Sequence, residues 1–232
     1  MVGDNIDIRP EYYATAEQLY HHFCMVHSES VPFVVPTRKV IAIGGESGSG
    51  KSVTAGTLQL QFEKCGIGVS VLHLDDYFYL PPASNHARRL ESLRHVGMQE
   101  VNMVLLQEHL DLFKNGAQSI TKPLSHYQDN YIGEEVLDWK TASILIIEGT
   151  YTLALQRTDY MVFMKRTYQD TRNSRIKRAR SEQELSHFVE EVLAIEHGII
   201  APFGNLANVH VEKDYSVRPQ SISNQATITH EP

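Results

Sequence analysis

Short aliphatic runs alternate with amphipathic stretches along most of the chain. The runs Val40–Ile43, Gly68–Leu74, Ser119–Lys122, Ile144–Ile147, Tyr160–Met164 and Val209–Glu212 carry many β-branched side chains, the pattern of strands in a covered sheet. Helices are predicted over Lys51–Lys64 and Met98–Lys114, and as one long element from about Tyr168 to His197. Alternation of this kind predicts an α/β fold with a doubly wound parallel sheet flanked by helices, spanning residues 37–215. Residues 1–36 read as an extension. It holds an amphipathic helix over Glu11–His27, with Tyr13, Leu19, Phe23 and Val26 as its apolar positions, and a linker carrying Pro32 and Pro36. The polar stretch Ser125–Trp139 reads as a hairpin or flap, and the Ser/Asn/Gln/Thr-rich residues 216–232 as a loosely held tail.

Composition narrows the class. With 42% hydrophobic and 21% charged residues over 232 positions, the chain can build a full core, and its longest apolar runs are far too short to cross a bilayer. The first residues lack the basic start and apolar stretch of a secretory signal, and Cys24 and Cys65 show no metal-ligand spacing. A reducing cytoplasm is therefore expected. A net charge of −7 argues against wholesale nucleic-acid binding. Positive charge is instead local: Lys165, Arg166, Arg172, Arg175, Lys177, Arg178 and Arg180 fall in one short stretch whose only acid is Asp170. Such a cluster on an acidic protein suits a compact polyphosphate. The twelve histidines show no zinc-ligand spacing.

The candidate chemistry begins at Gly45-x-x-x-x-Gly50-Lys51-Ser52, a phosphate-binding P-loop between a predicted strand and a predicted helix. Its residues Gly45, Glu46, Ser47, Gly48, Ser49, Gly50, Lys51, Ser52 and Val53 are the candidate nucleotide contacts. The glycines let backbone N–H groups wrap an anion, Lys51 reaches the β/γ-phosphates, and the Ser52 hydroxyl ligates Mg²⁺. Glu148 closes an aliphatic strand, where a doubly wound sheet places functional groups, and is the second candidate on the metal side. Asp75 and Asp76 close another strand, followed by Tyr77, Phe78 and Tyr79. One of the two acids is expected to take the proton of an acceptor hydroxyl, while the other caps or orients. Arg172, Arg175 and Arg178, at i, i+3 and i+6, can share a helical stripe that closes over the phosphates as a lid.

Taken together these segments resemble the uridine kinase and phosphoribulokinase group of P-loop kinases, from about Arg38 to Tyr215. The likeness rests on the P-loop, on Asp75-Asp-Tyr-Phe, on Ile147-Glu148-Gly149 and on Thr171-Arg172-x-x-Arg175. It implies a P-loop NTPase fold with about five parallel core strands and an Arg-rich helical lid. It implies ATP or GTP with Mg²⁺ as cofactors, Asp75 as general base, and Lys51, Arg172 and Arg175 as catalytic contacts. Dimers or tetramers are frequent in the family. The acceptor segments depart from its pattern: Leu93-Arg94-His95-Val96-Gly97 stands for an Asp-containing stretch, and Ser125-His126-Tyr127 for a Tyr-Asp-Phe stretch. Asp75, Tyr77, His95, His126 and Tyr127 are nevertheless the candidate acceptor contacts, and Tyr127 keeps an aromatic face for stacking.

The expected activity is ATP-dependent transfer of a phosphoryl group to a hydroxyl of a small molecule, with uridine or cytidine the first acceptor. Pantothenate, glycerate, nicotinamide riboside and a sugar phosphate are the alternatives. A nucleotide-dependent switch is the competing class, and no Asn-Lys-x-Asp guanine-reading motif occurs in the chain.

Overall fold

The computed structural model describes residues 9–27, 37–172, 175 and 186–220. Its centre is a six-stranded sheet. In spatial order the strands are β2 (Gly68–His73), β5 (Ala142–Gly149), β1 (Lys39–Gly45), β6 (Tyr160–Met164), β7 (Val209–Val211) and β8 (Val217–Pro219). The first five run parallel, and β8 joins β7 antiparallel. Residues 217–219, expected in a loose tail, thus complete the sheet edge.

β1 and β5 occupy the middle and are buried over nearly their whole length, which explains their unbroken hydrophobicity. On one face pack α1 (Pro10–His27) and α2 (Lys51–Lys64), where Leu19, Phe23, Leu58 and Phe62 meet Ile41, Ile43 and Tyr160. On the other, α4 (Met103–Lys114) brings Leu106, Leu110 and Phe113 against Val40, Leu145, Ile147 and Trp139. The extension is therefore part of the core. Its buried side carries Tyr12, Thr15, Ala16, Leu19 and Phe23, while the expected positions Tyr13 and Val26 face solvent.

Three expectations need correction. The segment Ser119–Lys122 is not a strand of the main sheet. It opens β3 (Ser119–His126), which pairs only with β4 (Tyr131–Asp138) in a separate antiparallel hairpin. Alternating burial along β3 gives it one wet face, unlike the central strands. Helix α4 starts at Met103 rather than Met98, because the Asn102 side chain accepts a hydrogen bond from Leu105 N at 3.1 Å and caps the helix there. The long helix predicted from Tyr168 is also not continuous in the described part. Residues 168–170 form a turn, and α5 (His187–Ile200) begins after Ser186, whose hydroxyl accepts from Val189 N. Residues 173–174 and 176–185, with Arg178, lie outside the described residues. A further helix, α3 (Pro82–Glu91), follows β2 with proline in its first turn. Among the described residues no helix is long and apolar enough to cross a membrane.

Candidate active site

The carboxyl end of β1 turns through Glu46–Gly50 into α2. Ser49 N donates to Glu46 O at 3.1 Å, closing the turn. Gly48 and Gly50 hold φ of 75° and 101°, a region other residues adopt only under strain. At Gly48 a Cβ would also stand 3.0 Å from Arg175 Cγ. Gly50 caps α2 without a side chain, so no side-chain oxygen competes for the helix's first N–H groups, and they and the positive end of the helix dipole face the loop. Lys51 is buried and donates from Nζ to Glu46 O at 2.9 Å.

Parallel register places the next groups. β2 lies beside β5 with His73 opposite Glu148, and His73 Nδ1 is 2.7 Å from Glu148 Oε1. Ser52, in the first turn of α2, donates to the same Oε1 at 3.1 Å. A Cβ at Gly149 would stand 2.3 Å from Leu74 Cβ, so only glycine lets Leu74 press onto the end of β5. That approach sets Asp75 within the electrostatic reach of Glu148, Lys51 and His73.

Asp75 and Asp76 share a single 3-10 turn, Leu74–Tyr77, and point into different surroundings. Asp76 is buried; its Oδ2 accepts from Lys122 Nζ at 2.7 Å and its Oδ1 from Ser125 N at 3.0 Å, which fastens the β3–β4 hairpin to the sheet. Asp75 keeps some contact with solvent and accepts from the Tyr127 hydroxyl at 3.4 Å. Burial, then the negative charge of Glu148, pushes the Asp75 carboxyl above the ordinary carboxylate range, with Lys51 and His73 acting against the rise. Burial also works to raise Glu148, but the His73 hydrogen bond and the charges of His73 and Lys51 outweigh it and hold Glu148 below its usual value.

The segment after β6 covers the loop. Glu46, although inside the motif, turns its buried carboxylate away from the cradle. It accepts from Tyr168 N at 2.6 Å and lies 2.7 Å from His197 Nδ1 on α5. Thr171 Oγ1 donates to Ser47 O at 3.0 Å. The Arg175 guanidinium is buried and donates to Tyr168 O and to Glu190 Oε1, both at 3.0 Å, whereas Arg172 is exposed, with Nε 3.9 Å from Glu190. On α5, Glu196 accepts from Arg89 at 3.0 Å, and Arg89 also donates to both oxygens of Glu100 at 2.6 and 2.8 Å. Consecutive residues of one helix thus tie α3 and the P-loop together.

The structure brings together Lys51, Ser52, Asp75, Tyr127 and Glu148, with Ser47, Gly48, Ser49, Gly50 and Val53 framing them and Gly45 ending β1. It does not bring in Tyr77. That ring is buried in the core with its hydroxyl 2.8 Å from His109 Nδ1, because the 3-10 turn points it inward. His126 stacks on Tyr131 at 4.3 Å across the hairpin, and His95 lines a separate surface pocket with Tyr79, Leu80, Asn85, Arg88, Gln99 and Glu100. His73 and His197 contact the site and escaped sequence reasoning. His73 could have been found from its place two residues before the acids; His197 carries no local signal.

The sequence model described as the phosphoribulokinase/uridine kinase family matches residues 40–182. The chain belongs to this family. It is 31% identical over 195 residues to the bifunctional alpha-galactosidase/sucrose kinase AgaSK of Mediterraneibacter gnavus, a match covering 79% of this chain and 21% of that protein. It therefore spans about a fifth of that relative's length. Among solved structures, D-glycerate 3-kinase from Cryptococcus neoformans superposes with a TM-score of 0.59 at 13% identity, covering 91% of this chain and 100% of the other. Phosphoribulokinase from Rhodobacter spheroides gives 0.55 at 11% identity, covering 76% and 70%. These two likenesses establish the fold.

Proposed function

We propose that the protein transfers the γ-phosphoryl group of ATP to a hydroxyl of a carbohydrate or sugar acid. The observation that carries the chemistry is the setting of Asp75: among the described residues it forms no ion pair, it lies in the field of Lys51 and Glu148, and it keeps solvent contact. A carboxylate with a raised pKa in that position suits acceptance of a proton from an attacking hydroxyl.

A magnesium triphosphate fits the residues present. Gly48 and Gly50 take the positive φ values that let the loop curl tightly, the α2 N-terminus is free of a side-chain cap, and Ser52 Oγ and Glu148 share one edge of the cradle. Among the described residues no cluster of three His, Cys, Asp or Glu side chains could hold a metal, which suits an ion bound chiefly through phosphate and water. Held by Ser52 and Glu148, such an ion would supply charge neutralisation to the triphosphate. Lys51 orients the terminal phosphates, Glu148 with His73 holds the metal side, and Asp75 with Tyr127 positions the acceptor hydroxyl. Arg175 steadies the loop by packing on Gly48, and Arg172 is exposed at the start of the lid segment.

The sucrose kinase named in the relative supports a carbohydrate acceptor. Tyr127 beside Asp75 supports a second reading, a uridine- or cytidine-like acceptor stacked on that ring. A coupled ADP-release assay with ATP and Mg²⁺ separates them when run across free sugars, sugar acids, sugar phosphates, pantothenate and nucleosides. A carbohydrate or sugar acid should accelerate ADP release well above the acceptor-free rate. Acceleration by nucleosides alone would overturn the carbohydrate reading, and no acceleration by any acceptor would favour a nucleotide-dependent switch.

A further inference from the structure

The family match starts at residue 40 and ends at 182, so α1 and the β7–β8 turn lie outside it. Between these two elements sits a cluster of two arginines and two tyrosines. Tyr12 of α1 packs on the P-loop: its Cε1 and Oη both lie 3.1 Å from where a Cβ on Gly50 would stand. Its hydroxyl is 3.0 Å from that of Tyr215, and the two rings meet edge-on with centroids 4.8 Å apart. Arg9 donates to the Tyr215 hydroxyl at 2.9 Å, and Arg166, just past β6, donates to the same oxygen. Both guanidinium groups also lie over the Tyr215 ring, at 5.5 and 5.1 Å. Neither has a carboxylate partner among the described residues. Tyr215 is held at φ 68°, a conformation bulky residues avoid, with its carbonyl accepting from Thr15 Oγ1 at 2.7 Å.

Sheet order tells which end of a nucleotide this cluster would meet. Asp75 follows β2, the P-loop follows β1, and Arg166 and Tyr215 follow β6 and β7, in the spatial order β2-β5-β1-β6-β7. A triphosphate with its terminal group toward Asp75 crosses the end of β1 and leaves toward β6 and β7. We propose that α1 completes the nucleotide site, Arg9 and Tyr12 joining Arg166 and Tyr215 in a wall for the base and ribose of the nucleoside triphosphate. This rests on the reading of Gly45–Ser52 as a triphosphate cradle. Tyr12 and Tyr215 are buried and back this wall, while the exposed Arg9 and the part-exposed Arg166 offer planar guanidinium faces to a base, and their N–H donors match ring nitrogens, carbonyls and ribose hydroxyls.

The test needs no acceptor, so it stands apart from the choice between sugar and nucleoside. The full chain and its Arg9→Ala and Tyr12→Leu variants are titrated calorimetrically with ATP and with inorganic tripolyphosphate, each with Mg²⁺. The expected result is a rise of about fivefold or more in the ATP Kd for each variant, with tripolyphosphate affinity held within about twofold. Arg9 is exposed, so its variant reports even if Tyr12→Leu lowers the melting temperature. Unchanged ATP affinity in Arg9→Ala would overturn the proposal, as would equal losses for both ligands, which would make α1 a prop for the loop. A parent protein that binds neither ligand would overturn the cradle itself, and the proposal with it.

Discussion

The two carboxylates that close β2 serve regions built on different principles. Around Asp76 every charge is answered: Lys122 and the Ser125 amide bind its two oxygens, Glu135 lies 3.1 Å from the same lysine, and both Asp76 and Lys122 side chains are only 2% exposed. Around Asp75 the balance is left open, since its burial and the charge of Glu148 are only partly offset by Lys51 and His73. A buried charge with a complete set of partners anchors structure, and breaking the set is expensive. A carboxylate left short of partners destabilises the fold slightly and remains reactive. One residue of chain separates the two roles.

That contrast can be broken experimentally. Asp75→Asn should lower kcat by about 10²- to 10⁴-fold, as expected for loss of a general base, with the ATP Kd nearly unchanged. It should also raise the melting temperature at neutral pH. The raised pKa means the native state still holds a proton, over the window just above the ordinary carboxylate value, that the unfolded chain has released. Stability therefore falls as pH rises through that window, and the amide removes the loss. A variant retaining more than a tenth of its turnover would deny Asp75 its role.

Asp76→Asn should do the reverse. Leaving Lys122 with only the half-exposed Glu135 should cost about 3 kcal/mol in urea unfolding, with any loss of turnover tracking the unfolded fraction. An unchanged unfolding midpoint would show that the hairpin is held by other contacts.

Smaller effects follow at the edges of the Asp75 region. His73→Asn removes the group 2.7 Å from Glu148 and should weaken apparent Mg²⁺ affinity about tenfold, read from the Mg²⁺ dependence of turnover at saturating ATP. Equal Mg²⁺ dependence in both proteins would assign His73 to packing alone. The smallest effect is on pH dependence. The acid limb of kcat/KM should lie above the ordinary Asp value of about 3.9, because Asp75 takes up its proton earlier as pH falls. In Asp76→Asn that limb should move down, and only slightly, since Asp76 is the weaker of the two negative charges raising Asp75. A limb at or below about 3.9 in the parent protein would contradict the description of the site.

The sequence alone carried the parallel strands of the sheet and the cradle, but neither the sheet's antiparallel edge β8 nor the separate place of Ser119–Lys122. Strand runs such as Val40–Ile43 and Tyr160–Met164 are buried on both faces, so their hydrophobicity is continuous and legible without neighbours. The P-loop is local in the same sense: glycine positions, lysine and hydroxyl all fall within one turn. Tertiary structure decided everything set by register and approach. Which of two adjacent acids faces the cradle depends on Lys122, 46 residues away, and His73 meets Glu148 only because β2 pairs with β5 in one alignment. Glu46 sits inside the motif yet serves α5, because His197 and Tyr168 N reach it from elsewhere in the chain. Tyr12 could not be read as a wall of the P-loop from a helix that looks, by its own pattern, like an appendage. Local pattern reports what a residue prefers to bury; long-range packing fixes which partners it meets, and a site is made of partners.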